Sequence, residues 1–250
     1  MCLILLAIDV IPERPWLLLG NRDEFHARAT APAAAWVDQP DIVGGRDLVA
    51  GGSWLALNRN GRFAAVTNVR TGALAAAPRS RGELVGGFVA GVAAAGDYVA
   101  TVAARRAEYG PFNLVVGSAQ GAAFVSSIDG QPRRLAPGVH AFSNGSLEDE
   151  WPKMRRLRLG LEAMRQSGKW EDAAFLELLG DTQQPADPDL PDTGVGLALE
   201  RTLAPIFIVG ETYGTRASTL AYASATDGLV LHERRFGPHG AALGETRLVL

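Results

Sequence analysis

The chain has 250 residues, of which 47% are hydrophobic, 20% charged and 7% aromatic. Asp and Glu (27) outnumber Lys and Arg (24), a net charge of -3 that argues against a dedicated nucleic-acid binder. The apolar content excludes a disordered chain, and a single cysteine excludes a disulfide scaffold.

Residues 2–10 and 16–21 are apolar runs separated by Ile11-Pro12-Glu13-Arg14-Pro15. Two prolines that close together predict two strands joined by a sharp reversal. The first run lacks a basic leader and a small-residue cleavage site and carries Asp9, so it reads as a buried strand of a cytoplasmic protein. Residues 22–50 read as irregular. From Ser53 to Val69 a hairpin is predicted, with WLALN and FAAVTNV as strands and Asn60-Gly61 as a turn tolerating positive φ at both central positions.

Helical periodicity starts at Ser80, where Ser80-Arg81-Gly82-Glu83 fits a capping box and Leu84, Phe88, Val92 and Ala95 recur at helical spacing. The longest apolar stretch, Leu84 to Gly96, falls short of the roughly 20 residues that cross a bilayer. Asp97 is the expected cap of a second helix ending near Tyr109. Strands are predicted at 113–117, 123–128 and 139–143. The clearest helix follows, with Trp151, Met154, Leu157, Leu161 and Met164 as its apolar stripe, Pro152 in its first turn and Gly168 at its end. Lys153, Arg155, Arg156, Arg158 and Arg165 read as its solvated basic face. Another helix is expected from Glu171 to Leu179.

Residues 181–200 hold five acids, three prolines and no Lys or Arg, which marks a long loop. Strands at 206–209, 218–223, 229–235 and 246–250 complete the pattern. Strand blocks interleaved with helix pairs predict a layered α+β sandwich, a single domain over 1–250.

Cys2 is the most informative residue. Once Met1 is removed it carries a free α-amine beside its own thiol. An α-amine has a pKa of about 7.7–8.0, so one residue would supply both nucleophile and base. The plainer alternative is a small apolar filler beside Leu3 and Ile4. Asn21-Arg22-Asp23-Glu24 closes the second run, and pairing of the two strands would bring Arg22 and Asp23 near Cys2. There a guanidinium would lower the thiol pKa and a carboxylate would orient the ammonium. An inert surface pair is the alternative, and the residues alone leave both readings open. The four histidines show no metal-ligand spacing, and Gly194-Val195-Gly196 lacks the third glycine of a dinucleotide fingerprint.

In chain order, the sequence carries a Met-Cys start, NRDE at 21–24, GGRDLVAGGSWLALN at 44–58 and GRFAAVTNVR at 61–70. FSN at 142–144, WPK at 151–153, LPDTGV at 190–195, PIFI at 205–208 and YGTRAST at 213–219 follow. Together these resemble the NRDE family, whose eukaryotic members are called transport and Golgi organisation protein 2. The resemblance implies a four-layer αββα sandwich of the N-terminal-nucleophile (Ntn) hydrolase type, two antiparallel sheets flanked by helices. It also implies kinship with cysteine-type choloylglycine hydrolases and penicillin V acylases. Carried over by motif, the expected catalytic residues are Cys2, Arg22, Asp23, Asn144 and Arg216, with Asn21, Glu24, Trp54, Asn68 and Thr215 as ligand-binding neighbours. In those acylases the arginine and aspartate are usually separated. Here they are adjacent, and neighbours on an extended chain face opposite ways, which favours Asp23 over Arg22.

The activity implied is hydrolysis of a non-peptide amide or a thioester through an acyl-cysteine, with Asn144 in the oxyanion hole and no cofactor required. The family's alternative is a non-catalytic protein that binds haem or acyl-CoA and lipid in the same cleft. Trp16, Trp36 and Trp54 would then line it, and Cys2 or His26 would ligate iron. A third alternative is a hydrolase scaffold that has lost catalysis and serves as an interaction surface. In the first two cases the expected partner is a small molecule, with no nucleic acid, no metal site built from the chain and no integral membrane segment. Specificity is expected in the loops at 25–50 and 181–200.

Overall fold

The computed structural model describes residues 2–70 and 77–250, so the expected removal of Met1 lies outside the described residues. Six strands come first: β1 (Cys2–Ile11), β2 (Arg14–Phe25), β3 (Thr30–Ala35), β4 (Ile42–Asp47), β5 (Leu55–Asn58) and β6 (Phe63–Asn68). Helices α1 (Gly82–Ala90) and α2 (Ala95–Ala104) precede β7 (Phe112–Ser118), β8 (Gly121–Ser126), β9 (Arg133–Leu135) and β10 (Gly138–Phe142). Helices α3 (Pro152–Ser167), α4 (Asp172–Leu178) and α5 (Leu197–Leu203) lead to β11 (Tyr213–Ser224), β12 (Gly228–Phe236) and β13 (Ala242–Val249).

The strands form two antiparallel sheets. One runs in the order β10-β1-β2-β11-β12-β13, and the other is a meander from β3 to β9. Side-chain alternation builds the layers. Ile4, Leu6 and Ile8 of β1, with Trp16 and Leu18 of β2, join Leu55, Leu57, Phe63 and Phe124 of the second sheet in a core between the sheets. The intervening Leu3, Leu5, Leu17 and Leu19 pack on Met154, Leu157 and Leu161 of α3 and on Phe175 of α4. On the outer face of the second sheet, Ala64, Leu114 and Val125 meet Leu84, Val85 and Phe88 of α1 and Val99 and Val102 of α2. The result is the expected four-layer sandwich. β1 and β2 are buried on both faces, so they read as continuous apolar runs rather than alternating ones.

Several local expectations need correction. Residues 22–50 contain the end of β2 as well as β3 and β4. β3 is an edge strand, which is why it tolerates Pro32 and gives so little apolar signal. At Asn60-Gly61 only Gly61 takes positive φ, +80°, with Gly61 N–H donating to Asn58 O at 2.8 Å. This is a longer hairpin loop with glycine in the left-handed position.

The apolar stretch 84–96 breaks at Gly91 into two helices. Val92, expected on the buried stripe, is 97% exposed, and Asp97 lies inside the first turn of α2 rather than capping it. β9 and α5 carried no recognised signal, and α5 occupies the end of the predicted loop. The strand expected at 206–209 is absent, because its backbone is satisfied one group at a time. Ile206 O accepts from Asn21, Phe207 N–H donates to Asp181 O, and Ile208 N–H donates to Thr215 Oγ1. Among the described residues no helix is long and apolar enough to cross a membrane.

Candidate active site

β1 begins, β2 ends and β6 ends at the same end of the sandwich, and a cavity of about 560 Å³ opens there. Cys2, Arg22, Asp23, Glu24, Asn68 and Arg216 all contribute to its wall. Trp54 lines it too. Trp16 and Trp36 lie in the cores instead.

Cys2 sits directly opposite Arg22 in the β1–β2 ladder. The alternation that sends Ile4 and Leu18 between the sheets therefore gives Cys2 and Arg22 the same face, while Asp23 follows Leu19 toward the helices. Arg22 is thus the neighbour that shares the thiol's face, while Asp23, on the strand's other face, still reaches the wall of the same cavity. Its guanidinium reaches Thr30 Oγ1 at 3.4 Å and lies 3.8 and 4.0 Å from Glu24 and Asp47.

Asp23 is buried, and its Oδ1 accepts from Thr215 Oγ1 at 2.7 Å. Thr215 is therefore a support for Asp23 rather than part of the cavity lining. Burial pushes the Asp23 carboxyl above its ordinary pKa, opposed by Lys153, the Thr215 hydrogen bond and Arg22. Burial also pushes the Cys2 thiol up, with Asp23 adding to the rise and Arg22 opposing it. The thiol is thus protonated at neutral pH, and a nucleophile made from it needs a base at hand.

The segment after β10 is stitched to both sheets. Ser143 Oγ lies 2.9 Å from Cys2 O and 3.0 Å from Asn144 Oδ1, one hydroxyl proton facing two acceptors. Asn113 Nδ2 holds Ser143 O at 3.2 Å and Gly145 O at 2.8 Å. Asn144 is fully buried and does not line the cavity. Its Nδ2 donates to Asn68 O at 2.8 Å and to Asn68 Oδ1 at 3.1 Å. The two protons of Asn144 are thereby taken, and the carboxamide in the cavity wall is that of Asn68. With Oδ1 held by Asn144, the free donor end of Asn68 is Nδ2.

Asn21 has a structural setting. It is fully buried, its Nδ2 bonds Leu179 O at 2.8 Å and Ile206 O at 2.7 Å, and its Oδ1 accepts from Ser218 Oγ at 2.6 Å. Arg216 is the extra residue of a bulge where β11 passes β2. Its Nη1 bonds Phe25 O and Arg28 O, both at 3.0 Å. His26 does not line the cavity, and no group of three or more metal-ligating side chains occurs among the described residues.

Two features escaped the sequence reading. Lys153, expected on a solvated face, is 3% exposed, donates to Leu203 O at 3.2 Å, and has its pKa lowered to about 8 by burial against the opposing pull of Asp23. A lysine in the first turn of a helix opposes the macrodipole, and that was the available signal that it serves something else. Beside it, Arg70 and Glu200 form a buried ion pair, with Thr193 N–H donating to Glu200 Oε1 at 2.8 Å. This pair fastens α5 and the acidic loop to the segment leaving β6.

The family model described as Transport and Golgi organisation 2 matches residues 1–238. The human Transport and Golgi organization protein 2 homolog is 29% identical over 269 residues, covering 99% of this chain and 97% of the relative. The mouse homolog is 28% identical over 261 residues, covering 94% and 92%. Among solved structures, the chain is similar to the mutant C2A conjugated bile acid hydrolase from Clostridium perfringens. That similarity has a TM-score of 0.56 at 9% identity and covers 100% of this chain and 92% of the other. It carries the fold, an Ntn-hydrolase sandwich.

Proposed function

As a chain that belongs to the Transport and Golgi organisation 2 family, we propose that this protein is a cysteine hydrolase of the Ntn type, cleaving a non-peptide amide or a thioester. The observation that carries the reading is the grouping of Cys2, Asp23 and Asn68 on the wall of one cavity at the start of β1. Met1 is removed, and the α-amine of Cys2 becomes the base that the burial-raised thiol needs. Asp23, held by Thr215, orients the resulting ammonium.

The amine takes the thiol proton as sulfur bonds to the substrate carbonyl carbon. The carbonyl π pair moves to oxygen, and Asn68 Nδ2 donates to that oxyanion. One such donor is worth about 3–4 kcal/mol. Collapse of the adduct breaks the C–N or C–S bond, and the ammonium returns the proton to the leaving group. Water then attacks the acyl-cysteine with the amine again as base, releasing a carboxylic acid and restoring the thiol. Asn144, first expected in the oxyanion hole, aims Asn68. Arg22 shares the thiol's face and tempers the rise in its pKa, and Arg216 faces substrate from the rim.

For the haem-binding alternative, the cavity wall offers, among the described residues, one soft ligand, Cys2, and no imidazole, since His26 lies outside it. Its arginine-rich lining suits an acyl substrate bearing polar groups better than a buried iron. Two measurements test the proposal. Intact mass of the purified chain is expected to lack Met1, and Cys2→Ser is expected to lose turnover across a panel of amides and thioesters. Equal turnover by wild type and Cys2→Ser refutes it.

A further inference from the structure

We propose that this cavity selects substrates carrying an anionic group, a carboxylate or a phosphate, which docks between Arg81 and Arg216 at the rim. The inference rests on the acyl-transfer reading for the identity of the reacting bond, but its own support is separate. Among the described residues, seven arginines line the cavity against four carboxylates, in a chain whose net charge is -3. The excess of positive charge is therefore concentrated here, against the sign of the whole molecule.

Most of these guanidiniums are already engaged. Arg28 pairs with Asp47 at 2.7 Å, Arg79 pairs with Glu83 and Glu108, and Arg46 pairs with Asp38. Arg81 and Arg216 are different. Among the described residues neither has a carboxylate within 4.0 Å. Arg81 Nη1 meets Pro111 O at 3.4 Å, and Arg216 uses one nitrogen for two backbone carbonyls.

The two arginines come from opposite sides of the sandwich, Arg81 from the start of α1 and Arg216 from the β11 bulge. Both feel Glu24 at the rim, and both have guanidinium pKa values pushed down chiefly by desolvation. A third, Arg235, opposite Ala217 in the β11–β12 ladder, has its Nε buried without a hydrogen bond, its carboxylate neighbour Glu233 standing off at 3.9 Å. Partly desolvated guanidiniums such as those of Arg81 and Arg216, with no carboxylate within 4.0 Å among the described residues, favour a bound anion, and their forked geometry matches the oxygens of a carboxylate or phosphate. A positive cleft with protein walls also concentrates anions from solution.

The test uses the full chain with Cys2→Ala, so that binding is read without chemistry. Calorimetric titration compares N-hexanoylglycine with N-hexanoylglycinamide, which differ by one charge, and adds inorganic pyrophosphate as the phosphate arm. The carboxylate is expected to bind at least about tenfold tighter than the amide, with the preference falling as salt rises. Pyrophosphate is expected to compete if the site takes phosphates, and failure to compete restricts it to carboxylates. Arg81→Gln and Arg216→Gln should each shrink the preference, and Arg81→Lys should keep part of it. Equal binding of the two amides, no binding of any anionic probe, or a preference intact in both Gln variants overturns the proposal. Loss of turnover chemistry in wild type with the preference retained would instead overturn the acyl-transfer reading alone.

Discussion

Lys153→Met separates the cost of a buried charge from its use. In the folded chain the Lys153 ammonium has its pKa lowered from 10.5 to about 8, chiefly because burial strips its water. At roughly 1.36 kcal/mol per unit, that difference is worth about 3 kcal/mol. The sign follows from the lowered folded value. Below pH 8 both states carry the proton and the fold bears the whole penalty. Between pH 8 and 10.5 the unfolded chain holds more proton than the folded one, so stability rises with pH. Wild type should therefore gain about 3 kcal/mol across that window from this residue, and Lys153→Met should not.

Urea unfolding of both proteins at pH 7, 8.5 and 10 reads the difference directly. The lost bond to Leu203 O and the changed packing are common to every pH, so they cancel in the slope. Lys153→Met is expected to compare most favourably with wild type at pH 7 and to lose that relative advantage as pH rises. Parallel curves for the two proteins would refute the assignment of a charged, desolvated Lys153.

Asn68→Ala is expected to lower kcat by about 10²–10³ with little change in KM, and Asn144→Ala to lower it by a smaller factor through misdirection of Asn68, both read from steady-state kinetics. Thr215→Val removes the 2.7 Å hydrogen bond to Asp23, so the acid limb of the pH–rate profile should move up by about one unit. Glu200→Ala removes one side of the buried Arg70–Glu200 ion pair together with the bonds Glu200 accepts from Thr193, and should cost about 3–5 kcal/mol in urea unfolding. Gly52→Ala would put a methyl 2.5 Å from the Gly82 carbonyl carbon, where the β4–β5 segment meets the start of α1, and should lower stability by about 1–3 kcal/mol in the same assay.

What the sequence revealed follows its strongest periodicities. β1, β2, the β5–β6 hairpin and the α3 stripe were legible because burial on one or both faces imposes long apolar patterns. β3 and β9 were not, since a largely exposed six-residue edge strand and a three-residue strand leave no period to read. In the site, the residue types were legible but their division of labour was not. That Asn144 serves Asn68, and that Thr215 serves Asp23, depends on hydrogen bonds between strands distant in sequence. The pairing of Cys2 with Arg22 was within reach of the hairpin register. Arg81 gave no signal, because its lack of a counter-charge is a property of what surrounds it in space.

The position of β1 has a practical consequence for anyone handling this protein. It is an inner strand, flanked by β10 and β2, and its first residue opens onto the cavity. An affinity handle fused ahead of Cys2 would have to exit through the same mouth that admits ligand, plugging it and abolishing the free amine together. A handle placed after β13, at the sheet's outer margin, leaves that entrance clear.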